Sequence, residues 1–265
     1  MKNNDFIFIC ETWLLDYEST NLLNSLSSSH TIFHKSDMNF TPAKGRQYGG
    51  RAFIVKKHLT IKNFNFINKH IASITLNHRE KTFTFISVYL PFDNNSFLNL
   101  TEFQSCLQIV NELFLFYTLN RHLVFIIGDF NSDLTRNNRF DIFLKHFIDN
   151  NNLYASSPSM SQCEFSYQNG LYKAKLDHCL LSKDISSPLI LSYYDDNIIN
   201  LSDHKPVITS FNYLEEMIPR NESKQDDKIE FITLYPNFDI DEVKDKFNNI
   251  LVNEMEKFEN IKIID

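Results

Sequence analysis

The 265-residue chain has only four cysteines, Cys10, Cys106, Cys163 and Cys179, and no two stand in a CxxC or other metal-ligand spacing. That excludes a thiolate metal site and a disulfide scaffold, and leaves four buried thiols of a reducing compartment. No apolar run approaches the length of a membrane span. A secretory leader is excluded too, because the apolar stretch Phe6 to Cys10 is too short for a signal core and stops at Glu11. The expectation is an intracellular protein, nuclear or cytoplasmic, that is not secreted. The chain shows no internal repeat and no polymerase motif.

A basic surplus is also missing. The net charge is −7, from 33 acidic and 26 basic residues. Fourteen of the acids but only seven of the bases lie from Glu215 onward, so the tail carries the whole surplus and the preceding 214 residues are neutral. A neutral body still binds a polyanion when its acids gather around a metal and its bases lie elsewhere. Charge therefore decides nothing about nucleic acid.

What is present is a large apolar fraction, 43%, with 14% aromatic residues, enough for one domain with an appendage. Buried or alternating runs predict strands at residues 5–10, 31–34, 51–56, 71–76, 82–89, 122–127, 164–167, 174–181 and 205–211. Helical spacing of apolar residues predicts helices at 96–120 and 139–150, and residues 17–29 read as a short helix or loop. Residues 37–48 read as a polar loop. Strands and helices interleave, with hairpins among them, which suggests two packed mixed sheets with helices outside. Residues 1–213 form the domain, 214–228 a charged linker, and 229–265 an acidic tail with one amphipathic helix at 240–258.

Several polar clusters end or open apolar runs. Gly128-Asp129-Phe130-Asn131 closes the strand at 122–127, and the glycine is expected to let the backbone turn there. Asp129 and Asn131, two apart, face the same way on an extended backbone; the plainer alternative is an Asx turn. Asp177 interrupts an apolar strand and needs a partner, which His204 of Ser202-Asp203-His204-Lys205-Pro206 would supply. Such pairing fixes an imidazole's tautomer and keeps it protonated. Glu11 at its strand end suits magnesium, which takes one or two carboxylates and keeps several waters. Tyr89 closes another strand and could reach a phosphate or simply pack. Arg46 and Arg136 lie in loops suited to a DNA backbone, with ordinary surface as the alternative. A carboxylate to activate water, groups for a metal and a donor for developing charge are what phosphate-ester hydrolysis requires.

In order, Glu-Thr-Trp-Leu, Gly-Gly-x-Ala-x-x-Val, Val-Tyr-x-Pro, Gly-Asp-Phe-Asn, Leu-Asp-His and Ser-Asp-His resemble the endonuclease/exonuclease/phosphatase superfamily. Within it the chain is most similar to the apurinic-endonuclease-like domain of non-LTR (LINE-type) retrotransposons, over roughly residues 5–213. The resemblance implies an α/β four-layer αββα sandwich and phosphodiester hydrolysis with Mg²⁺, or Mn²⁺, as cofactor. It implies that Glu11 and Asp203 serve the metal and that Tyr89 contacts the scissile phosphate. It further implies that Asp129 activates water, Asn131 orients water and phosphate, and His204, steered by Asp177, stabilises the charged transition state. DNA is the implied partner, nicked by a monomer whose full-length element continues into a reverse transcriptase. A catalytically impaired remnant and another phosphodiesterase of the superfamily are the alternatives.

Two departures stand out. The family opens with a strand bearing an Asn, whereas this chain starts almost at the Glu11 strand, so its sheet is expected to lack a central strand and to leave backbone unpaired. Glu164 falls where many relatives have Thr or Ser, and a carboxylate there would repel phosphate unless turned away.

Overall fold

The computed structural model describes residues 5–19, 28–38, 47–78, 80–156, 163–182, 190–195, 202–212 and 228–234. Strand formation follows the apolar runs. Phe6–Cys10 (β1) and Arg51–Lys56 (β3) pair antiparallel and are buried almost throughout, and His30–Lys35 (β2) flanks β3. The predicted hairpin is present as Ile71–His78 (β5) and Lys81–Tyr89 (β6), two residues longer on one arm and one on the other than its apolar pattern predicts. Thr60–Phe66 (β4) pairs with β5 and escaped the pattern because five of its seven residues are exposed.

Two helices follow the predicted spans. Phe97–Leu119 (α1) starts where the Ser96 hydroxyl accepts from the Asn99 amide, and Arg139–Asn150 (α2) where Asp141 accepts from the Asn138 amide at 2.9 Å. Between them runs Leu123–Asp129 (β7), parallel to β6. The second half adds Leu153–Ala155 (β8), Tyr167–Asn169 (β9), Tyr172–Ala174 (β10), Asp177–Ser182 (β11), Ile190–Tyr194 (β12), Val207–Asn212 (β13) and Lys228–Leu234 (β14). The single run expected over 174–181 is thus two strands, and the one expected at 164–167 begins only at Tyr167.

The strands form two six-stranded mixed sheets, β12-β13-β14-β1-β3-β2 and β4-β5-β6-β7-β11-β8, with β9 and β10 as a separate hairpin. Phenylalanines fill the space between the sheets. Phe6 stacks on Phe85 at 4.4 Å, Phe85 on Phe125 at 5.3 Å, and Phe125 meets Phe211 at 4.7 Å, with Phe8 and Phe53 in the same cluster. Each such buried ring contributes about 1.5–3 kcal/mol, so this layer is the main cohesion between the sheets. On the outer face of the second sheet, Ile86, Val88, Val124 and Ile126 pack under Phe103, Val110, Phe140 and Leu144 of the helices. No helix among the described residues is long and apolar enough to cross a membrane.

Two expectations are corrected here. The first sheet does not leave β1 unpaired: β14 lies beside it, parallel, with Phe6 opposite Phe231 and Ile9 opposite Leu234, and β3 holds the other edge. Residues 228–234, assigned by composition to the linker boundary and the tail, thus form a central strand of the sheet. Gly128 does not serve to turn the chain, because it lies within β7. Its φ is +130°, and a Cβ there would stand 2.0 Å from the Val88 carbonyl oxygen of β6. Close approach of two strands is what requires glycine at this position. The helix expected at 240–258 lies outside the described residues, as does most of 17–29.

Candidate active site

Three neighbouring strands of the second sheet deliver three polar residues side by side. In the ladder, Tyr89 at the end of β6 is opposite Asp129 at the end of β7, and Asp129 is opposite Asp177 at the start of β11. Tyr89 is held from behind by His70, whose Nδ1 lies 2.7 Å from the Tyr89 carbonyl. Its hydroxyl donates to Glu11 Oε1 at 2.7 Å, joining this row to the end of β1 in the other sheet. Burial, reinforced by Glu11, pushes the Tyr89 phenol far up, so it stays protonated as a donor.

The His204 imidazole closes the row. Its Nδ1 is 2.9 Å from Asp177 Oδ2, and its Nε2 is 3.9 Å from Asp129 Oδ2. Burial alone would lower the imidazole, but Asp177 and Asp129 outweigh it and hold it up at about 9, so it is a cation at neutral pH. Asp129 is driven the other way from an ordinary carboxylate. Burial pushes it up to about 8 against the pull of His204, with Asp177 and Glu11 adding repulsion. The two groups interact too closely to titrate independently, and the direction for each follows from its surroundings. Two buried acids share one imidazolium, and both are deprived of solvent.

Asn131 combines both of its expected readings. Its amide N–H closes an Asx turn on Asp129 Oδ1 at 2.7 Å, while its side-chain nitrogen donates to the Leu90 carbonyl at 2.7 Å and lies 3.2 Å from Asp129 Oδ2. Its φ of +49° is one that Asn tolerates better than most residues. The side-chain nitrogen is thereby committed, and the oxygen is the atom left to face a water or a metal.

The loop carrying His204 is fastened chiefly through residues 166–168, which carry no functional signal in the sequence. Tyr167 forms an isolated bridge with His204, and its ring lies 4.8 Å from the imidazole. Gln168 donates to the Asp203 carbonyl, and Lys205 to that of Ser166. The Ser166 hydroxyl accepts from the amides of Leu176 and Asp177 at 2.9 and 3.1 Å, fixing the start of β11. Asp133 accepts from Thr135 and, across 42 residues, from the Lys175 amide at 2.8 Å. An Asp-x-Thr turn is legible in sequence; Ser166 is not, because its partners lie ten and eleven residues away.

The remaining candidates make other contacts or fall outside the described residues. Asp203 is exposed, and its carboxylate meets the Ser202 hydroxyl at 3.5 Å. Arg136 bonds Asp141 at 3.0 Å and also the Tyr172 hydroxyl, so its guanidinium serves a structural pair. Arg46 lies outside the described residues, and Glu164 is exposed.

Whether these residues suit a divalent cation is tested by their charge balance. No three His, Cys, Asp or Glu side chains among the described residues are arranged as a metal cage. Magnesium needs fewer, because it keeps several waters. Glu11, half-buried at the rim, raises the Asp129 pKa, and Asp177 Oδ1 is buried without a hydrogen-bond partner. Once Asp129 holds its proton, Glu11 and Asp177 stand against one imidazolium, which leaves room for a cation, so the donor set fits.

No family model and no curated relative matches the chain. Solved structures do. It is similar to a 3′ phosphatase, NExo, from Neisseria bound to a product DNA hairpin, at 13% identity and TM-score 0.57 over 79% of this chain and 89% of that one. The APE2 catalytic domain of Xenopus laevis matches at 16% identity and TM-score 0.57, over 88% and 86%. The endonuclease domain of TRAS1, a telomere-specific non-LTR retrotransposon, matches at 13% and 0.52, over 77% and 95%. With two packed mixed sheets and a row of polar strand ends at one rim, this chain has the endonuclease/exonuclease/phosphatase fold.

Proposed function

We propose that this chain is a magnesium-dependent phosphodiesterase that nicks DNA in the manner of a retrotransposon endonuclease. The observation that carries the proposal is the Asp129–His204–Asp177 cluster, with Tyr89 and Glu11 joined to it at the same rim. Asp129, with a carboxyl raised to about 8, suits a group that takes a proton from water near neutral pH. Asn131, held by Leu90, orients that water with its side-chain oxygen. On the other side, the His204 imidazolium faces the phosphoryl oxygens as charge develops, and Asp177 fixes its tautomer and its proton. The Tyr89 hydroxyl donates its single proton to Glu11, and would turn it to a phosphate oxygen by releasing that carboxylate.

Glu11 would hold the metal, with Asp203 close enough in sequence to His204 to support it through water. When bound, the ion supplies Lewis-acid stabilisation of the phosphate. DNA as substrate is supported by one structure of this fold solved with a product DNA hairpin and by another that is a retrotransposon's endonuclease domain. The fold alone is equally compatible with other phosphodiesters. A supercoiled-plasmid nicking assay with and without Mg²⁺ decides the matter. Nicking abolished by chelation and by Asp129→Asn is expected. A well-folded protein inert with Mg²⁺ and Mn²⁺, or one whose nicking survives Asp129→Asn, overturns the proposal.

A further inference from the structure

Glu11 directly follows β1, and His204 stands three residues before the start of β13, yet these strands are not neighbours. β14 lies between them, matched to β1 over Phe6–Ile9 and to β13 over Val207–Asn212. Neighbouring strands sit about 4.8 Å apart, so one inserted strand sets a separation of about 9.6 Å between the two. Without it, β1 and β13 would each expose a row of unpaired backbone groups in the middle of a sheet, and would either close on one another or splay. Both outcomes move Glu11 relative to His204. The sequence from 213 to 227, between β13 and β14, is far longer than the two to five residues usual for a hairpin.

We infer that the gap between β1 and β13 is a docking slot for a strand running parallel to β1, filled by Lys228–Leu234 of the same chain. Its occupancy sets the spacing between the two sides of the active site. Lys228–Leu234 is then a working part of the sheet that carries the site. The effect on catalysis rests on the function proposed above; the docking does not.

The test uses the full chain with a site-specific protease sequence inserted between residues 213 and 227. After cleavage, the C-terminal fragment should co-elute with the body at equal stoichiometry. Ser210→Cys with Glu230→Cys, paired in the ladder, should form a disulfide under mild oxidation and keep the cut fragments together at monomer mass on a non-reducing gel. Ile232→Pro removes a ladder donor from a central strand and should lower the melting midpoint by several degrees and nicking at least tenfold. Loss of the fragment without change in the melting midpoint overturns the inference. So does failure of the cysteine pair to cross-link, and a cross-linked product at dimer mass overturns its assignment to the same chain. A protein that passes the docking measurements but never nicks DNA, under any Mg²⁺ or Mn²⁺ condition, refutes the proposed function and leaves the slot established.

Discussion

Two of the Asp–His pairs among the described residues, His204–Asp177 and His34–Asp16, behave in opposite ways. His204 meets Asp177 at 2.9 Å with Asp129 behind it, and both carboxylates are almost wholly removed from water. His34 of β2 has Nδ1 3.2 Å from Asp16 Oδ1, without the alignment of a hydrogen bond, and Nε2 2.9 Å from the Thr12 hydroxyl. The Asp16 side chain is 58% exposed. Burial therefore wins at His34 and lowers its pKa, whereas at His204 two desolvated acids outweigh the same burial and raise it. Pairing alone does not make an imidazolium. What decides is whether the partner's charge is screened by water.

The comparison breaks most visibly in catalysis. His204→Ala or Asp177→Ala should reduce nicking by about a thousandfold or more, the scale of losing a charge-stabilising donor. His34→Ala should leave kcat within about threefold. A comparable loss in both would show that the contrast between the pairs has no functional meaning.

Next in size is Ser166→Ala. It strips two buried amides of their acceptor and should cost about 2 kcal/mol by denaturant unfolding. Because those amides set the start of β11, it should also lower kcat in a protein folded at the assay temperature. Unchanged stability would mean that the hydroxyl does not hold Asp177.

The third prediction concerns pH and stability. His204, normally near 6.5, is raised to about 9, so the stability it contributes is complete below about pH 6.5 and lost as pH rises through about 9. Asp129, raised from 3.8 to about 8, acts in the same direction over a wider window: the folded state prefers its protonated form, so the stability it contributes is complete below about pH 3.8 and is lost as pH rises from there through about 8. His34 is lowered, so its contribution is present above about 6.5 and lost as pH falls. Melting midpoints should therefore fall by a few degrees as pH rises from neutrality to about 9, while on the acidic side the loss from His34 is opposed by the gain from Asp129. The double variant Asp129→Asn/His204→Gln should flatten the alkaline limb, and His34→Gln should raise midpoints on the acidic side only. The reverse assignment of limbs would refute the electrostatic account.

The smallest effect is expected from Asp16→Ala, under about 1 kcal/mol, because the carboxylate is solvated. Its bond to the Ser36 amide accounts for part even of that.

Much of the site was legible because its residues interrupt apolar runs at strand ends: Glu11, Tyr89, Asp129, Asp177 and His204 all do, and the ladder brings them to one rim. What escaped was whatever depends on partners distant in sequence. Ser166 is one serine among many until Leu176 and Asp177 fold over it. Arg136 looks like any loop cation until Asp141 claims it. β4 lacks an apolar signature because it is mostly exposed, and β14 is seven residues within an acidic stretch whose composition outweighs its short run. Gly128 was noticed for the wrong reason: a nearby carbonyl is a tertiary fact, and only a turn is a local one.

The placement of Tyr89, Asp129 and Asp177 on three adjacent strands has a final consequence. Side chains alternate between faces, so sliding β7 by a single residue would carry Asp129 to the helix-covered side and bring a side chain onto the Val88 carbonyl in place of Gly128's hydrogen. A misaligned sheet thus has no partial version of this polar row to offer. Measured turnover in a preparation of this protein accordingly counts only those molecules whose three strands came together in step.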